Sequence, residues 1–101
     1  MKPTDRQQWI LNWMRTNDES VDVLNSNFVD DYSRATEAET SRMTIGAAKC
    51  KQLGRDLSHL YRNGRLDRYS TGLPAGDSSM GFPKWVYTYQ LKRQDFALDA
   101  R

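Results

Sequence analysis

The segment from Cys50 to Gly64 constrains the fold of this chain more than any other stretch. Apolar side chains recur there at spacings of three and four, which places them on one side of an α-helix: Cys50, Leu53, Leu57, Leu60 and Tyr61. Gly64 is a natural helix stop, because glycine enters the left-handed conformation without a Cβ penalty. The pattern predicts an amphipathic helix that ends near Asn63 and buries its apolar side.

A β-hairpin is expected directly after this helix. Arg65 to Ser70 and Pro83 to Leu91 are its predicted strands, and residues 71–82, rich in Gly and Ser, should form an exposed, mobile loop between them. The second strand alternates strictly, so one aromatic and aliphatic face should cover the helices: Trp85, Tyr87, Tyr89 and Leu91.

The first predicted helix begins at a capping box formed by Thr4 and Gln7 and runs to about Arg15. Its apolar stripe contains two tryptophans, which we interpret as core anchors rather than as a base-stacking or partner surface: Trp9, Ile10, Trp13 and Met14. The stretch from Val21 to Val23 alternates over so few residues that it predicts at most an edge strand or a bridge.

The second predicted helix begins after Asn25, whose side chain can accept a hydrogen bond from an amide of the first turn. Its core stripe is Leu24, Phe28, Tyr32 and Ala35. The helix containing Cys50 is then the third, and Ser41 or Thr44 is its expected cap. Gly54 in its interior either permits close packing or is simply tolerated.

Positive charge is concentrated in the later part of the chain. The net charge is +2, but residues 1–40 hold four Lys or Arg against eight acids, whereas residues 41–93 hold ten against three. On the third helix, Lys51, Arg55 and Arg62 fall on the side opposite the leucines. Such a basic surface is typical of proteins that bind an anionic polymer, although solvated charge gives the same pattern.

Neither catalysis nor membrane insertion finds support in the sequence. His59 and Cys50 are the only histidine and cysteine, so no three-ligand metal site is expected, and Cys50 is interpreted as a small buried thiol. No catalytic residue, metal or cofactor is assigned, and the chain is not expected to be an enzyme. It lacks a run of about 18 apolar residues and an apolar leader, so we expect a soluble, cytoplasmic protein without a membrane partner.

The order of elements resembles a winged helix-turn-helix domain. The resemblance is carried by Leu57-x-x-Leu60-x-x-x-Gly64-x-Leu66, in which a helix ends at glycine and leads into a strand, and by Tyr89-x-Leu91, which closes the hairpin, or wing. It implies an α+β fold of three helices followed by a two-stranded β-hairpin, with residues 1–93 as a single domain and 94–101 as a short tail. The connector before the third helix is longer than the turn of a compact helix-turn-helix, so the resemblance does not determine where the first turns of that helix lie.

The resemblance implies a DNA-binding role for the third helix, which in such families usually lies in the major groove while the wing contacts the minor groove or the phosphates. The implied partner is double-stranded DNA, with Gln52 and Arg55 as candidate base readers. Further cations would position the DNA backbone: Lys49, Lys51, Arg62, Arg68 and Lys84. The wing loop carries Asp77 and no cation, so deep minor-groove insertion is not expected.

The expected function is sequence-specific DNA binding by a small transcriptional regulator. The alternative is a winged-helix protein-interaction module in a replication, regulatory or host-directed complex, since a fold does not fix a function and the first forty residues are acidic. RNA binding ranks third, because no paired aromatic platform can be read from the strands. A protein partner and a homodimer both stay open.

Overall fold

Three helices and two antiparallel strand pairs make up the part of the chain that the computed structural model describes, which is residues 1–42, 48–72 and 85–92. In chain order they are α1 (Pro3–Asn17), α2 (Ser26–Thr36), β1 (Ser41–Arg42), β2 (Ala48–Lys49), α3 (Lys51–Arg62), β3 (Leu66–Gly72) and β4 (Trp85–Leu91). The predicted α+β arrangement of three helices followed by a two-stranded hairpin is confirmed, and its layout matches that of a winged helix.

The core is built from the apolar side of α3 and the elements packed around it. Cys50, Leu53, Leu57 and Leu60 are each at most 3% exposed, whereas Tyr61 at the edge of the stripe is 37% exposed. The other elements contribute Ile10, Leu11, Met14, Val21, Phe28, Val29, Tyr32, Leu66, Tyr89 and Leu91. The predicted apolar stripe of α3 therefore enters the core, with Tyr61 as its partly exposed margin.

The end of α3 follows the prediction. Gly64 has a φ of 75°, in the left-handed region. The amide of Gly64 donates to the carbonyl of Tyr61 at 3.0 Å, and the amide of Arg65 donates to the carbonyl of Leu60 at 2.9 Å. These two bonds satisfy carbonyls of the last helical turn in a Schellman motif. They also fix the direction in which the chain leaves α3 for β3.

The start of α3 is later than predicted. β1 and β2 pair in a short antiparallel ladder, so the chain is extended at Ser41, where a helix cap was expected. Pairing between the strands overrides the high helix propensity of Ala48, and α3 begins at Lys51. A cap at Thr44, which itself lies outside the described residues, is wrong as well because β2 follows it.

The first helix begins slightly earlier than predicted. Its first residue is Pro3 and its N-cap is Lys2, with no side-chain hydrogen bond at the cap. The expected capping box of Thr4 and Gln7 is therefore wrong. Proline suits the first helical position, because the amide that it lacks would have no partner within the helix there.

The tryptophans of α1 pack against α2, which confirms their interpretation as core anchors. The ring centroids of Trp13 and Phe28 are 4.8 Å apart, and those of Trp9 and Tyr32 are 5.8 Å apart. Both tryptophans are half-buried against the core. The Trp13 Nε1 also donates a hydrogen bond to the carboxylate of Asp31 at 2.9 Å, which satisfies its indole N–H.

The second helix begins as predicted. The Asn25 side chain accepts a hydrogen bond from the Phe28 amide at 3.2 Å and so caps α2. Phe28 and Tyr32 are fully buried, but Ala35 is exposed, so its place in the core stripe is wrong. The chain turns back after α2, and Ala38 packs against the core instead.

The predicted hairpin is formed by β3 and β4, which pair in register along their full lengths. Tyr89 and Leu91 are buried, and Tyr87 is partly buried against the core, so this face covers the helices as predicted. Residues 73–84, which include most of the expected mobile loop, lie outside the described residues. The expected tail at 94–101 and the side chain of Trp85 also lie outside them.

A single residue of the α1–α2 connector joins the hairpin. The amide of Val21 donates to the carbonyl of Tyr89 at 2.9 Å, and the amide of Tyr89 donates to the carbonyl of Val21 at 2.7 Å. This is the bridge that the short alternation from Val21 to Val23 predicts. It attaches β4 to the segment between the first two helices.

Candidate nucleic-acid interface

The exposed face of α3 is basic. Lys51, Arg55 and Arg62 are exposed, and within the described ranges none of the three makes a hydrogen bond or an ion pair. They follow one line along the helix, opposite the leucines. Asp56 is the only acidic residue of α3, and it is buried at 4% exposure. No carboxylate of α3 therefore interrupts the basic face.

A groove of about 470 Å³ lies between α3 and the hairpin. Its cations come from α3 and its apolar wall from the hairpin and the α1–α2 connector: Lys51, Arg55 and Arg62 against Val23, Val86 and Tyr87. Gly54 also lines it, and a Cβ built at Gly54 would have no atom within 4 Å. Gly54 is thus tolerated rather than required for packing, and it leaves space beside the helix.

A second groove, of about 540 Å³, lies between the start of α3 and the segment from Glu37 to Ser41. Glu37 and Glu39 line it together with cations, so its charge is mixed, unlike that of the first groove. Lys51 and Arg55 line both grooves. These two side chains therefore stand on the ridge of α3 that separates them.

The predicted base reader Gln52 differs from its neighbours because its side chain has a partner inside the protein. It is half-buried, and its Nε2 donates a hydrogen bond to the hydroxyl oxygen of Tyr32 at 3.0 Å. Gln52 also lines the second groove beside Lys51 and Arg55. The structure therefore places the two predicted base readers, Gln52 and Arg55, beside Lys51, and it holds the side chain of Gln52 in place.

Gln52 is the outermost member of a polar network that joins the three helices. Asp56 accepts two hydrogen bonds from Arg6, at 2.8 Å from Nε and 3.2 Å from Nη2. The Tyr32 hydroxyl donates to the same carboxylate at 2.5 Å. The buried charge of Asp56 is thus paired in a bidentate geometry and hydrogen-bonded on both oxygens, as burial of a charge requires.

The network sets the protonation of its members. Burial raises the pKa of the Tyr32 hydroxyl above its ordinary value, and the hydrogen bond to Asp56 raises it further. The hydrogen bond to Asp56 likewise raises the pKa of the Arg6 guanidinium. At neutral pH the network therefore contains a neutral phenol and a charged guanidinium.

Sequence reasoning missed this network, although one signal for it was present. Asp56 lies three residues after Leu53 and four before Leu60, at the margin of the apolar stripe next to Leu60. An acid in that position needs a buried cation or several donors. The identity of those partners could not be predicted, because Arg6 and Tyr32 lie 50 and 24 positions away in the chain.

Arg68 on β3 is held between two aromatic rings. Its guanidinium carbon lies 3.9 Å from the ring centre of Tyr61 on α3 and 4.0 Å from that of Tyr87 on β4. A hydrogen bond with Tyr89 raises the pKa of Arg68. The side chain predicted to contact DNA phosphates therefore also links the hairpin to the last turn of α3 through cation–π contacts.

Of the two remaining predicted site residues, one lies beside the start of α3 and the other lies outside the described residues. Lys49 is exposed on β2, just before α3, and lines the second groove together with Lys51 and Arg55. Lys84 lies outside the described residues, so its predicted phosphate contact has no structural counterpart.

No protein-family model, curated protein or solved structure matches the chain significantly. In the described ranges no helix is long and apolar enough to cross a membrane. The same ranges hold no group of three His, Cys, Asp or Glu side chains placed to bind a metal ion.

Proposed function

We propose that the chain is a winged helix-turn-helix domain that binds double-stranded DNA at specific sequences and acts as a small transcriptional regulator. The basic face of α3 carries the proposal: its three exposed cations lie in line, and its one acid is buried against Arg6. A helix of this width fits the major groove of B-form DNA. We propose that α3 enters that groove.

The first two turns of α3 supply the base readers. The guanidinium of Arg55 suits the O6 and N7 acceptors of guanine, and the amide of Gln52 suits the N6 and N7 atoms of adenine. Lys51, exposed beside them, contacts phosphates. Specificity then comes from Gln52 and Arg55, and a large part of the affinity from the cations around them.

The groove between α3 and the hairpin supports a backbone contact. A DNA strand presents phosphates to cations and deoxyribose rings to apolar surface, and this groove offers Arg62 on one wall and Val86 with Tyr87 on the other. Arg68 and Lys49 extend the basic surface, and Lys84 is assigned the same role from the sequence. The hairpin thereby touches the backbone at its base.

A regulator of this kind acts inside the cell, so we propose a cytoplasmic location. As a dimer it would read two half-sites separated by about one helical turn, about 34 Å. The symmetry of the selected DNA shows how many copies of the protein bind, because a palindrome indicates two copies and an asymmetric site indicates one.

The test is selection from a pool of random duplex DNA at low and moderate salt, followed by sequencing of the retained molecules. We expect one enriched motif and an affinity that falls steeply as salt rises, by about 0.9 in log K per log salt for each phosphate contact. Absence of retention at low salt would contradict the proposal.

A pair of matched double variants separates the basic face from total charge. Lys51→Ala with Arg55→Ala should lower affinity at least tenfold and reduce the salt slope by about one, which is the contribution of the phosphate contact of Lys51. Lys2→Ala with Arg34→Ala removes the same charge outside α3 and the hairpin and should change both quantities little. Equal losses of affinity in the two double variants would show that DNA binding depends on the total charge of the protein and not on the basic face of α3.

The alternative is a protein-interaction module in a replication, regulatory or host-directed complex. The acidic surplus of residues 1–40 favours this second function, since such a surface repels DNA and attracts basic partners. A stable complex with a protein, together with no salt-dependent retention of DNA, would establish it in place of the first.

A further inference from the structure

The hydrogen bonds around Tyr32 determine which way the amide of Gln52 points. A carboxylate only accepts hydrogen bonds, so the Tyr32 hydroxyl must donate its single hydrogen to Asp56, 2.5 Å away. The hydroxyl oxygen is then left as an acceptor. Gln52 can meet it only with its NH₂ group, which lies 3.0 Å from it. The amide oxygen of Gln52 therefore points elsewhere.

The carboxylate of Asp56, which accepts the hydrogen of Tyr32, is itself held in place. Arg6 donates a hydrogen bond to each oxygen of Asp56, at 2.8 and 3.2 Å, and only 5% of the Asp56 side chain is exposed. The donor of each bond is therefore determined: Arg6 of α1 and Tyr32 of α2 both donate to Asp56 of α3, and Gln52 of α3 donates to Tyr32. We refer to Arg6, Asp56 and Tyr32 together as the relay.

The part of Gln52 that the relay leaves free has the pattern of one donor and one acceptor. Its NH₂ group has two hydrogens, of which Tyr32 takes one, and its carbonyl oxygen has no partner among the described residues. One N–H beside one carbonyl oxygen matches adenine, which offers the N7 acceptor and the N6 donor in the major groove. Guanine offers two acceptors there and would leave the carbonyl oxygen unsatisfied.

We infer that the relay is a specificity device, in which Tyr32 fixes the amide polarity of Gln52 so that α3 selects adenine at one position of its DNA site. The inference rests on the proposed DNA-binding function. Tyr32 and Asp56 are positioning residues in it, because they act through Gln52 and touch no base. Their contribution is to remove the flipped amide orientation that a free glutamine side chain would sample.

The test compares the DNA motifs selected by four forms of the full chain: unsubstituted, Gln52→Ala, Tyr32→Phe and Val29→Ala. The unsubstituted protein should prefer adenine at one position by about tenfold. Gln52→Ala should abolish this preference and leave the other positions unchanged. Tyr32→Phe keeps the ring and loses only the hydroxyl, so it should reduce the same preference to about threefold or less, again at that position alone.

Val29→Ala controls for stability, because it also shortens a buried side chain of α2 but lies outside the relay. It should retain the adenine preference even when its thermal midpoint falls as far as that of Tyr32→Phe. If Tyr32→Phe keeps the full preference while Gln52→Ala loses it, the relay has no role in specificity and the inference is overturned. If the Gln52→Ala variant selects the same motif as the unsubstituted protein, Gln52 reads no base and the inference is overturned.

Failure of the underlying function gives a different result from failure of the relay. If the unsubstituted protein enriches no motif, the DNA-binding proposal falls, and the inference falls with it. If a motif is enriched but contains no position at which Gln52→Ala changes the base preference, DNA binding stands and only the inference is lost.

Discussion

The guanidinium carbon of Arg68 lies over the ring of Tyr61, 3.9 Å from the ring centre, and this contact joins the hairpin to the last turn of α3. Tyr87 provides a second ring at 4.0 Å on the neighbouring strand. A planar cation can face two rings at once, whereas an ammonium is a point charge. We therefore expect arginine at this position to help hold the hairpin against α3.

Arg68→Lys should loosen the hairpin although it keeps the charge. We expect a lower thermal midpoint and faster hydrogen exchange at the amides of β3, because lysine cannot reproduce both stacking contacts. Arg65→Lys is the matched control, since Arg65 is exposed just before β3 and its side chain makes no hydrogen bond, ion pair or ring contact within the described residues. Equal effects of the two substitutions would show that the rings do not hold Arg68.

Asp56→Asn should be among the most destabilising single substitutions in the chain. It leaves the guanidinium of Arg6 without its anion in a largely buried place, so we expect a loss of about 2 to 4 kcal/mol in the free energy of unfolding, measured by urea denaturation. Asp67→Asn removes the same charge from a solvated pair with Lys92, 3.4 Å apart. That control should cost less than about 1 kcal/mol; similar losses would contradict the buried pairing.

Two glycines of the α3 region should respond to alanine with opposite signs. Gly64 has a φ of 75°, where a Cβ is strained, so Gly64→Ala should destabilise the fold by about 1 kcal/mol. Gly54 lies inside the helix with open space where a Cβ would be, so Gly54→Ala should stabilise it by up to about 1 kcal/mol. Denaturation midpoints measured side by side check both signs, and a loss at Gly54 would mean that the added methyl is not accommodated.

Stability should fall above pH 10 because of Tyr32. Its pKa in the folded protein is raised above the ordinary value of tyrosine, chiefly by burial, so the folded state keeps a proton that the unfolded chain loses near pH 10. The stabilisation is complete below that pH and declines above it, by up to about 1.4 kcal/mol per pH unit. Tyr32→Phe has no such proton, so its unfolding free energy should decline less between pH 10 and 11. Parallel curves for the two proteins would contradict the raised pKa.

The parts of the fold that sequence reasoning predicted correctly are those in which neighbouring residues determine the structure. The apolar stripe from Cys50 to Leu60 and the stop at Gly64 depend on helical spacing and on the one residue that tolerates a positive φ. The cap at Asn25 is equally local, because its acceptor reaches an amide three residues away.

Two of the features that sequence reasoning missed depend on competition between local signals, and a third depends on a partner distant in the chain. Ala48 is a strong helix former, yet strand pairing with residue 42 makes it extended. The capping box at Thr4 failed because Pro3 already starts the helix. The role of Gln52 was predicted from the resemblance to a winged helix-turn-helix domain, but its contact with Tyr32 depends on how α2 packs, which helical periodicity does not determine.

The bridge between Val21 and Tyr89 limits how much of the protein can fold before its synthesis is complete. Translation delivers Val21 to the ribosome exit long before Tyr89, so all three helices emerge while the backbone groups of Val21 still lack their partners. Until β4 has been made, the core that the three helices share lacks the side chains of Tyr89 and Leu91. A nascent chain interrupted before residue 85 would consequently remain a substrate for proteases, whereas one that includes β4 can close its core and escape them.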